Sequence, residues 1–337
     1  MTILKAQSLG FEVELMTELT PAERELVVSA ENLEMAAVLE EIIRTSNVSW
    51  DHPLSPDQIN NWLNNFTGDA LGSPTAEKNL ALWLLSGFIY FSLDDVRGFC
   101  QCLFSDFVHT KLVEYKEENK FQELTLDQQV KHILDSTVFL SLGNDSESGS
   151  NILYYFRQIN KLDKKVFEKG LDQEYENLVF VDDVTISGLQ ALAYIPRIKD
   201  SIKASNLYFL TFMASEGAID ELKYLHVQVI CGNKLSNREK CFSSDSYVFS
   251  SESKQQYLAI ARKMCEYYGN IITKGHPEVD GFPLGVDESQ GLFCFFYNTP
   301  DNTLPIFWCS GNNWKPIFKR YEKIIEGEVL ISDSRYV

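Results

Sequence analysis

The sequence has little of what a nucleic-acid-binding surface needs. Its 30 Lys and Arg residues are outnumbered by 48 Asp and Glu residues, which gives a formal net charge of −18 at pH 7. No run of Lys and Arg is present that would neutralise a chain of phosphates. We therefore do not expect direct nucleic-acid binding.

The spacing of zinc ligands is absent too. Cys100 and Cys102 lie close together, the other five cysteines are scattered, and the five His residues form no His-x-x-x-His pair. An odd number of cysteines without a framework is typical of reduced thiols in the cytoplasm. Ser141, Cys231 and Cys294 are conceivable nucleophiles, but no activating base lies near them in sequence, and apolar neighbours favour buried, unreactive cysteines.

Long apolar segments are also lacking. The first five residues do not lead into the long apolar core of a signal peptide. The longest apolar run, residues 80–91, is too short to span a bilayer and contains Ser86 and Gly87. We expect a cytoplasmic protein without a membrane segment.

The apolar residues that are present suffice for a large core. The chain has 337 residues, of which 45% are hydrophobic, and this length predicts two domains. Up to about residue 133, apolar side chains recur at helical spacing. We predict an N-terminal all-α domain over residues 1–133 and a second domain over residues 134–337, with the charged segment 114–123 near the boundary.

Several helices can be placed within the first domain. Ser55 before Pro56 predicts one helix start, and Ser92 with Asp95 resembles a capping box at another. The stripe that follows, from Val96 to Val108, predicts that Phe104 is buried. Residues 76–91 are apolar on nearly all sides and predict a central helix.

The second domain alternates between strand-like and helical segments. The strand-like segments are residues 137–142, 178–181, 207–212 and 227–231, and the helical ones between them are residues 151–159, 189–194 and 216–224. Such repetition predicts an α/β fold with a mostly parallel sheet flanked by helices. Residues 232–253 are polar and rich in Ser, which predicts a surface insertion.

An acidic pair follows one of the predicted strands. Residues 178–181 are apolar without alternation, which predicts a strand buried on both faces, and Asp182 and Asp183 come directly after it. Open parallel sheets bind ligands beyond the carboxyl ends of their strands, so these carboxylates can hold a metal or ligand hydroxyls. No Gly-x-x-x-x-Gly-Lys-Ser/Thr segment is present to support a P-loop ATPase instead.

A turn of small residues comes after the acidic pair. Thr185, Ser187 and Gly188 can present hydroxyl groups and backbone N–H groups to an anion, and a helix that starts there adds its partial positive charge. This layout predicts a phosphate-binding turn. An acidic strand end that leads into an ordinary helix cap is the alternative.

Residues 178–188 resemble the phosphoribosyl-diphosphate (PRPP) motif of type I phosphoribosyltransferases, which has an apolar run, two acids, an apolar residue, small or polar residues and glycine. The resemblance implies that Asp182 and Asp183 are the catalytic pair, hold the ribose hydroxyls and bind Mg²⁺. The residues that it implies for the 5′-phosphate are Thr185, Ser187, Gly188 and Gln190.

A second loop resembles the pyrophosphate loop of the same family by its position after the first core strand. The resemblance implies ligand contacts from Gly143, Ser148 and Gly149. Asp145 and Glu147 would repel a bare pyrophosphate, so this role requires Mg²⁺ between them or side chains that turn away. A solvated Gly/Ser loop is the alternative.

The segment Asn298-Thr299-Pro300-Asp301-Asn302-Thr303-Leu304-Pro305 is similar to one in phosphoribosyltransferase-like proteins of bacterial conflict and antiviral systems. With the helices between residues 62 and 107, the similarity covers most of the chain beyond residue 20. It implies a defence effector controlled by a partner protein. Asn and Thr side chains also bond backbone groups locally, so a rigid turn is the alternative.

The chain differs from active type I enzymes at one position, and this difference leaves its activity open. Active type I enzymes commonly have Asp, Thr or Ala where this chain has Ile186, which cannot accept a proton. Departure of Mg-pyrophosphate does much of the work in such reactions, so a missing base does not exclude transfer. The sequence therefore supports either an enzyme that transfers or removes a phosphoribosyl group, acting on PRPP or a nucleotide, or a non-catalytic nucleotide or PRPP sensor.

Overall fold

The computed structural model describes residues 19–142, 148–167, 174–199, 203–318 and 320. Its helices are α1 (Pro21–Glu31), α2 (Ala36–Ser49), α3 (Pro56–Leu63), α4 (Pro74–Ser86), α5 (Leu93–Glu117), α6 (Leu126–Asp135), α7 (Ser148–Ile159), α8 (Leu189–Lys199), α9 (Glu216–Tyr224), α10 (Glu252–Gln255) and α11 (Leu258–Thr273). Its strands are β1 (Ile89–Phe91), β2 (Thr137–Ser141), β3 (Glu174–Thr185), β4 (Lys203–Ser215), β5 (Val227–Leu235) and β6 (Phe293–Phe295). Within these ranges, no helix has both the length and the apolar character to cross a membrane.

The main sheet consists of β2, β3, β4 and β5 in that order, and every neighbouring pair is parallel. The middle of β3 is buried on both faces. Leu178 and Phe180 pack into a core that includes side chains of α8 and α9, whereas Val179 and Val181 pack on the other face with α5 and α7. The structure thus confirms the predicted α/β fold with a parallel sheet flanked by helices.

Helix α5 covers one face of this sheet. Its fully buried side chains include Val96, Cys100, Leu103 and Phe107. They lie in one cluster with apolar residues of β2, β3 and β4. The stripe predicted a buried helix face, but it packs on the sheet and not within the N-terminal helices. Phe104 is only partly buried and meets the ring of Phe156 edge-on at 5.9 Å between centroids.

A buried lysine ties α5 to the sheet. Nζ of Lys111 lies 2.7 Å from Oε2 of Glu114 and 3.4 Å from Oε1 of Glu176 on β3. The hydroxyl of Tyr208 on β4 donates to Glu114 at 3.0 Å, and that of Tyr115 donates to Glu176 at 3.1 Å. Because each carboxylate is bonded by both the ammonium and a phenol, the cost of burying these charges is offset.

The predicted helix starts are present. The side chain of Ser55 accepts a hydrogen bond from the backbone of Gln58 at the start of α3, and Gln58 bonds back to Ser55. Ser92 and Asp95 form the same reciprocal pair at the start of α5. Each pair satisfies backbone N–H groups that have no partner inside the helix.

The N-terminal helices share a hydrophobic core with the C-terminal part of the chain. Side chains of α1 to α4 pack with α11 and with residues 304–318. The indole N–H groups of Trp62 and Trp314 both donate to the carbonyl of Ile306, at 2.8 and 2.9 Å. The division of the chain at residue 133 stays a prediction.

The predicted helix over residues 76–91 was partly wrong. Helix α4 ends at Ser86, and after Gly87 the chain forms β1, which pairs in parallel with β6. The aromatic and β-branched residues of β1 suit a strand, but its partner lies about 200 residues further along the sequence. A local pattern could not reveal that pairing.

The predicted surface insertion over residues 232–253 was also wrong. β5 continues to Leu235, and Cys241, Phe242, Val248 and Phe249 are buried in the core of the N-terminal helices. These apolar side chains are separated by serines, so the polar composition concealed them. The segment connects the sheet to the helical core.

Candidate functional site

A cavity of about 400 Å³ lies at the carboxyl end of β3. This volume is within the range of small-molecule sites. One side of the cavity is formed by Asn151 and by residues 182–190. The other side is formed by Phe282, Val286, Asp287, Asn298, Pro300, Asp301, Asn302 and Arg320.

The acidic pair is buried at this cavity. Asp182 and Asp183 are 4% and 6% exposed. They lie within β3, near its carboxyl end, and not after it as predicted. The backbone N–H of Asp183 donates to Oδ1 of Asp182 at 3.0 Å, and that of Val184 donates to Oδ1 of Asp183 at 2.9 Å. Tyr297 donates its hydroxyl to Oδ2 of Asp183 at 3.1 Å. The carboxylate of Asp183 is therefore held from two sides.

Burial affects the protonation of Asp183. Loss of water around the carboxyl raises the pKa of Asp183, and the hydrogen bonds from Val184, Tyr297 and Asp182 act against that rise. The pKa of Tyr297 is also raised, first by burial and then by the charge of Asp183. A cation at the cavity would favour the charged form of Asp183.

The turn after the acidic pair has the geometry of a helix start. Gly188 has φ of +70°, a value that side-chain-bearing residues rarely adopt, and its carbonyl accepts from the N–H of Leu192 in α8 at 2.8 Å. Ser215 donates its hydroxyl to the carbonyl of Ile186, which holds the turn against β4. Backbone N–H groups at a helix start are anion donors, so the turn suits a phosphate.

The predicted phosphate ligands all lie on the same side of the cavity. Thr185 is buried, Ser187 is partly buried, and Gln190 is exposed in the first turn of α8. The hydroxyl of Ser187 accepts from the N–H of Leu189 at 3.4 Å. The structure thus brings Thr185, Ser187, Gly188 and Gln190 together with the acidic pair.

The predicted pyrophosphate loop is only partly within the described residues. Gly143 lies outside them, and Ser148 and Gly149 are described only as the backbone of the first turn of α7. Asn151 of the same helix lines the cavity. The start of α7 therefore lies beside the cavity, while the ligand contacts of this loop stay a prediction.

The opposite wall is held by Arg320. Its guanidinium donates to the carbonyl of Thr299 at 2.7 Å and to Oε2 of Glu278 at 2.8 and 3.0 Å. It also lies 5.0 Å from the ring of Trp308. These contacts fix residues 298–302, the segment singled out from the sequence, at the edge of the cavity.

Sequence reasoning missed several residues of this wall. Phe282, Asp287 and Arg320 line the cavity, and Tyr297 binds Asp183. No local pattern marks any of them, because their roles depend on contacts with distant parts of the chain. The nearest signal was the Asn-Thr-Pro segment, which adjoins Tyr297 in sequence.

The candidate cysteine nucleophile Cys294 is not at the site. It is buried in the core, and burial raises its pKa well above the ordinary value. The pKa of Cys231 is also raised by burial. Neither residue lines the cavity. Both findings agree with the interpretation of these thiols as unreactive.

The acidic pair fits the way in which Mg²⁺ binds to nucleotide and phosphate sites. There, one or two carboxylates act together with oxygens of the substrate and water. Among the described residues, no group of three or more His, Cys, Asp or Glu side chains is arranged to hold a metal. Asp182 and Asp183 would supply the protein ligands, and the remaining ones would come from the bound ligand.

Comparison with known proteins identifies the family of the chain. No curated protein matches the chain. One similar solved structure is the crystal structure of orotate phosphoribosyltransferase from Aeropyrum pernix, with 14% identity, a TM-score of 0.22 and coverage of 32% of this chain and 73% of that one. The family model PRTase-CE matches residues 59–320, well over half of the chain. The chain belongs to the phosphoribosyltransferase-like PRTase-CE family.

Proposed function

We propose that this chain binds a 5′-phosphorylated ribose compound, such as PRPP or a nucleotide, together with Mg²⁺ in the cavity at the end of β3. The observation that carries the proposal is that Asp182, Asp183 and the turn at Gly188 line one cavity. Ribose hydroxyls would donate charge-assisted hydrogen bonds to the carboxylates. The phosphate would accept from the N–H groups where α8 begins.

The reaction that fits this arrangement is transfer or removal of the phosphoribosyl group. The ribose ring gains positive charge as the bond at C1 breaks, and Asp182 and Asp183 place negative charge next to the ring. When Mg²⁺ is bound, it neutralises negative charge on the departing phosphates. The protein would then act in the cytoplasm as an effector of an antiviral defence system, controlled by a partner protein, which is the role that the resemblance at residues 298–305 supports.

A non-catalytic sensor is the second candidate. Ile186 lines the cavity at a position where related enzymes commonly have a polar or small residue, and it has no group that accepts a proton. Its backbone carbonyl already accepts a hydrogen bond from Ser215. The absence of a proton acceptor at Ile186 favours a sensor over an enzyme. In a sensor, ligand binding would alter contacts with a partner.

One pair of measurements tests both candidates. Calorimetry with PRPP and ribose 5-phosphate in the presence of Mg²⁺ measures binding, and release of pyrophosphate or free base from PRPP and a panel of nucleotides measures chemistry. We expect binding in the presence of Mg²⁺. Release would identify an enzyme, and binding without release would identify a sensor. Failure of both phosphorylated ribose compounds to bind would contradict the proposed function.

A further inference from the structure

The cavity wall that includes Phe282, Asp287 and Arg320 has an apolar face, which the proposed ribose and phosphate contacts do not involve. Phe282 is 37% exposed and lines the cavity together with Val286 and Pro300. Leu189, which is 59% exposed, lines it from the start of α8. Large apolar side chains exposed at a cavity are suited to a planar, uncharged part of a ligand.

The charge of this wall excludes an anionic group. Asp287 and Asp301 both line it, and the one cation among the described lining residues is Arg320. Its guanidinium is bound to Oε2 of Glu278 and lies 3.4 Å from Oδ2 of Asp301. Because that positive charge is already paired, the part of the wall that the structure describes is negative, and a carboxylate placed against it would be repelled.

The backbone holds Asp287 in an uncommon conformation. Asp287 has φ of +58° and Glu288 has φ of +50°, both in the left-handed region. The turn is fixed because Val286 donates its N–H to the carbonyl of Asp301 at 3.0 Å and Ser289 donates its hydroxyl to that of Asn302 at 2.7 Å. Residues kept in such conformations concentrate at ligand sites, where the rest of the structure enforces them.

We propose that this wall is the subsite for an amino-substituted nucleobase, so that the ligand is an adenine, cytosine or guanine 5′-nucleotide rather than one with a carboxylated base. The base packs on Phe282, and Asp287 accepts a hydrogen bond from its amino group. Asp287 is thus a specificity-determining residue. The inference rests on the proposed ribose-phosphate site, since that site fixes where the base lies.

The test compares ligands that share ribose 5-phosphate and differ in the base. Calorimetry with Mg²⁺ would use ribose 5-phosphate and the 5′-monophosphates of adenosine, cytidine, guanosine, uridine and orotidine. We expect at least one of the adenosine, cytidine and guanosine compounds to bind about tenfold more tightly than ribose 5-phosphate, because stacking of one base contributes this much affinity. Uridine monophosphate should be weaker than these, and orotidine monophosphate weaker than ribose 5-phosphate.

Two variants assign the effects to residues. Phe282→Ala should weaken binding of the nucleotides about tenfold and leave ribose 5-phosphate binding unchanged. Asp287→Asn should reduce the preference for amino-substituted bases and strengthen orotidine monophosphate binding. Glu288→Gln is the matched control, because it removes a neighbouring carboxylate that lies outside the cavity lining and 3.6 Å from Arg262. Circular dichroism checks that each variant is folded.

The outcomes separate the two ideas. If ribose 5-phosphate does not bind to the wild-type chain, the proposed function is wrong and the base subsite is rejected with it. If ribose 5-phosphate binds but the nucleotides bind no more tightly, or if Phe282→Ala weakens every ligand equally, the base subsite alone is wrong. Equal effects of Asp287→Asn and Glu288→Gln would remove the specificity role of Asp287.

Discussion

The hydroxyl of Tyr297 donates a hydrogen bond of 3.1 Å to Oδ2 of Asp183, a residue 114 positions away in the sequence. Tyr297 directly precedes the Asn-Thr-Pro segment, and its ring stacks on Phe295 of β6 at 5.5 Å between centroids. The orientation of the acidic pair therefore depends on the C-terminal part of the chain. This hydrogen bond links the acidic pair to the segment that forms the opposite wall of the cavity.

The double variant Asp182→Asn with Asp183→Asn should lose Mg²⁺-dependent ligand binding and remain folded. The amides keep the shape of the side chains but remove both the charge and the charge-assisted hydrogen bonds from ribose hydroxyls. Calorimetry with PRPP and Mg²⁺ measures the loss, and thermal melting checks the fold. Asp94→Asn, at an exposed position in α5, is the control. Unchanged affinity in the double variant would show that the pair acts only as a strand end.

Tyr297→Phe should lower the free energy of unfolding by about 1–3 kcal/mol, because it removes one donor from a buried carboxylate. It should also weaken Mg²⁺-dependent binding, since the carboxylate of Asp183 loses one of the hydrogen bonds that orient it. Urea denaturation and calorimetry provide the two measurements. Tyr154→Phe, at an exposed position of α7, should change neither quantity. If Tyr297→Phe behaves like Tyr154→Phe, the contact does not position the acidic pair.

Removal of the Phe107 ring should be costly. Phe107 is fully buried between α5 and the sheet, and it meets Phe139 and Tyr208 edge-on. We expect Phe107→Ala to lower the free energy of unfolding by about 3–5 kcal/mol. Phe104→Ala should cost clearly less, because that ring is only partly buried. Urea denaturation of both variants tests the difference, and equal losses would contradict this description of the helix face.

The stability of the fold should depend on pH through Asp183. Burial raises its pKa above the ordinary value of 3.8, so the folded state retains a proton that the unfolded state releases. The stabilisation from this group is therefore complete below about pH 4 and is lost as the pH rises through the folded pKa. We expect the stability of Asp183→Asn relative to wild type to increase between pH 4 and pH 7. A constant difference in urea denaturation over that range would contradict the raised pKa.

Much of the α/β part could be predicted from local patterns. The helix predicted over residues 216–224 is α9, with the same bounds. The apolar run at residues 178–181 lies in β3, since a strand buried on both faces requires no alternation. Because parallel sheets place ligand sites at the ends of their strands, the location of the acidic pair at a cavity could also be predicted.

The rest depended on pairings between distant residues. The strand character of residues 89–91 arises from pairing with residues 293–295, and the burial of Phe242 and Phe249 arises from packing on the N-terminal helices. Arg320 is held at the cavity by contacts with residues distant in sequence, among them Glu278 and Thr299. Sequence periodicity reports on neighbours along the chain, so it carried no information about these contacts.

The hydrogen bond from Trp62 to the carbonyl of Ile306 has a consequence for synthesis of the protein, because it joins residues 244 positions apart. At roughly 5–20 residues per second, a ribosome makes the acceptor about 12–50 s after the donor. During that interval the first helices are synthesised, but the core that buries Trp62 is incomplete. The ring of Trp62 therefore lacks part of its packing until residues 304–318 have been synthesised.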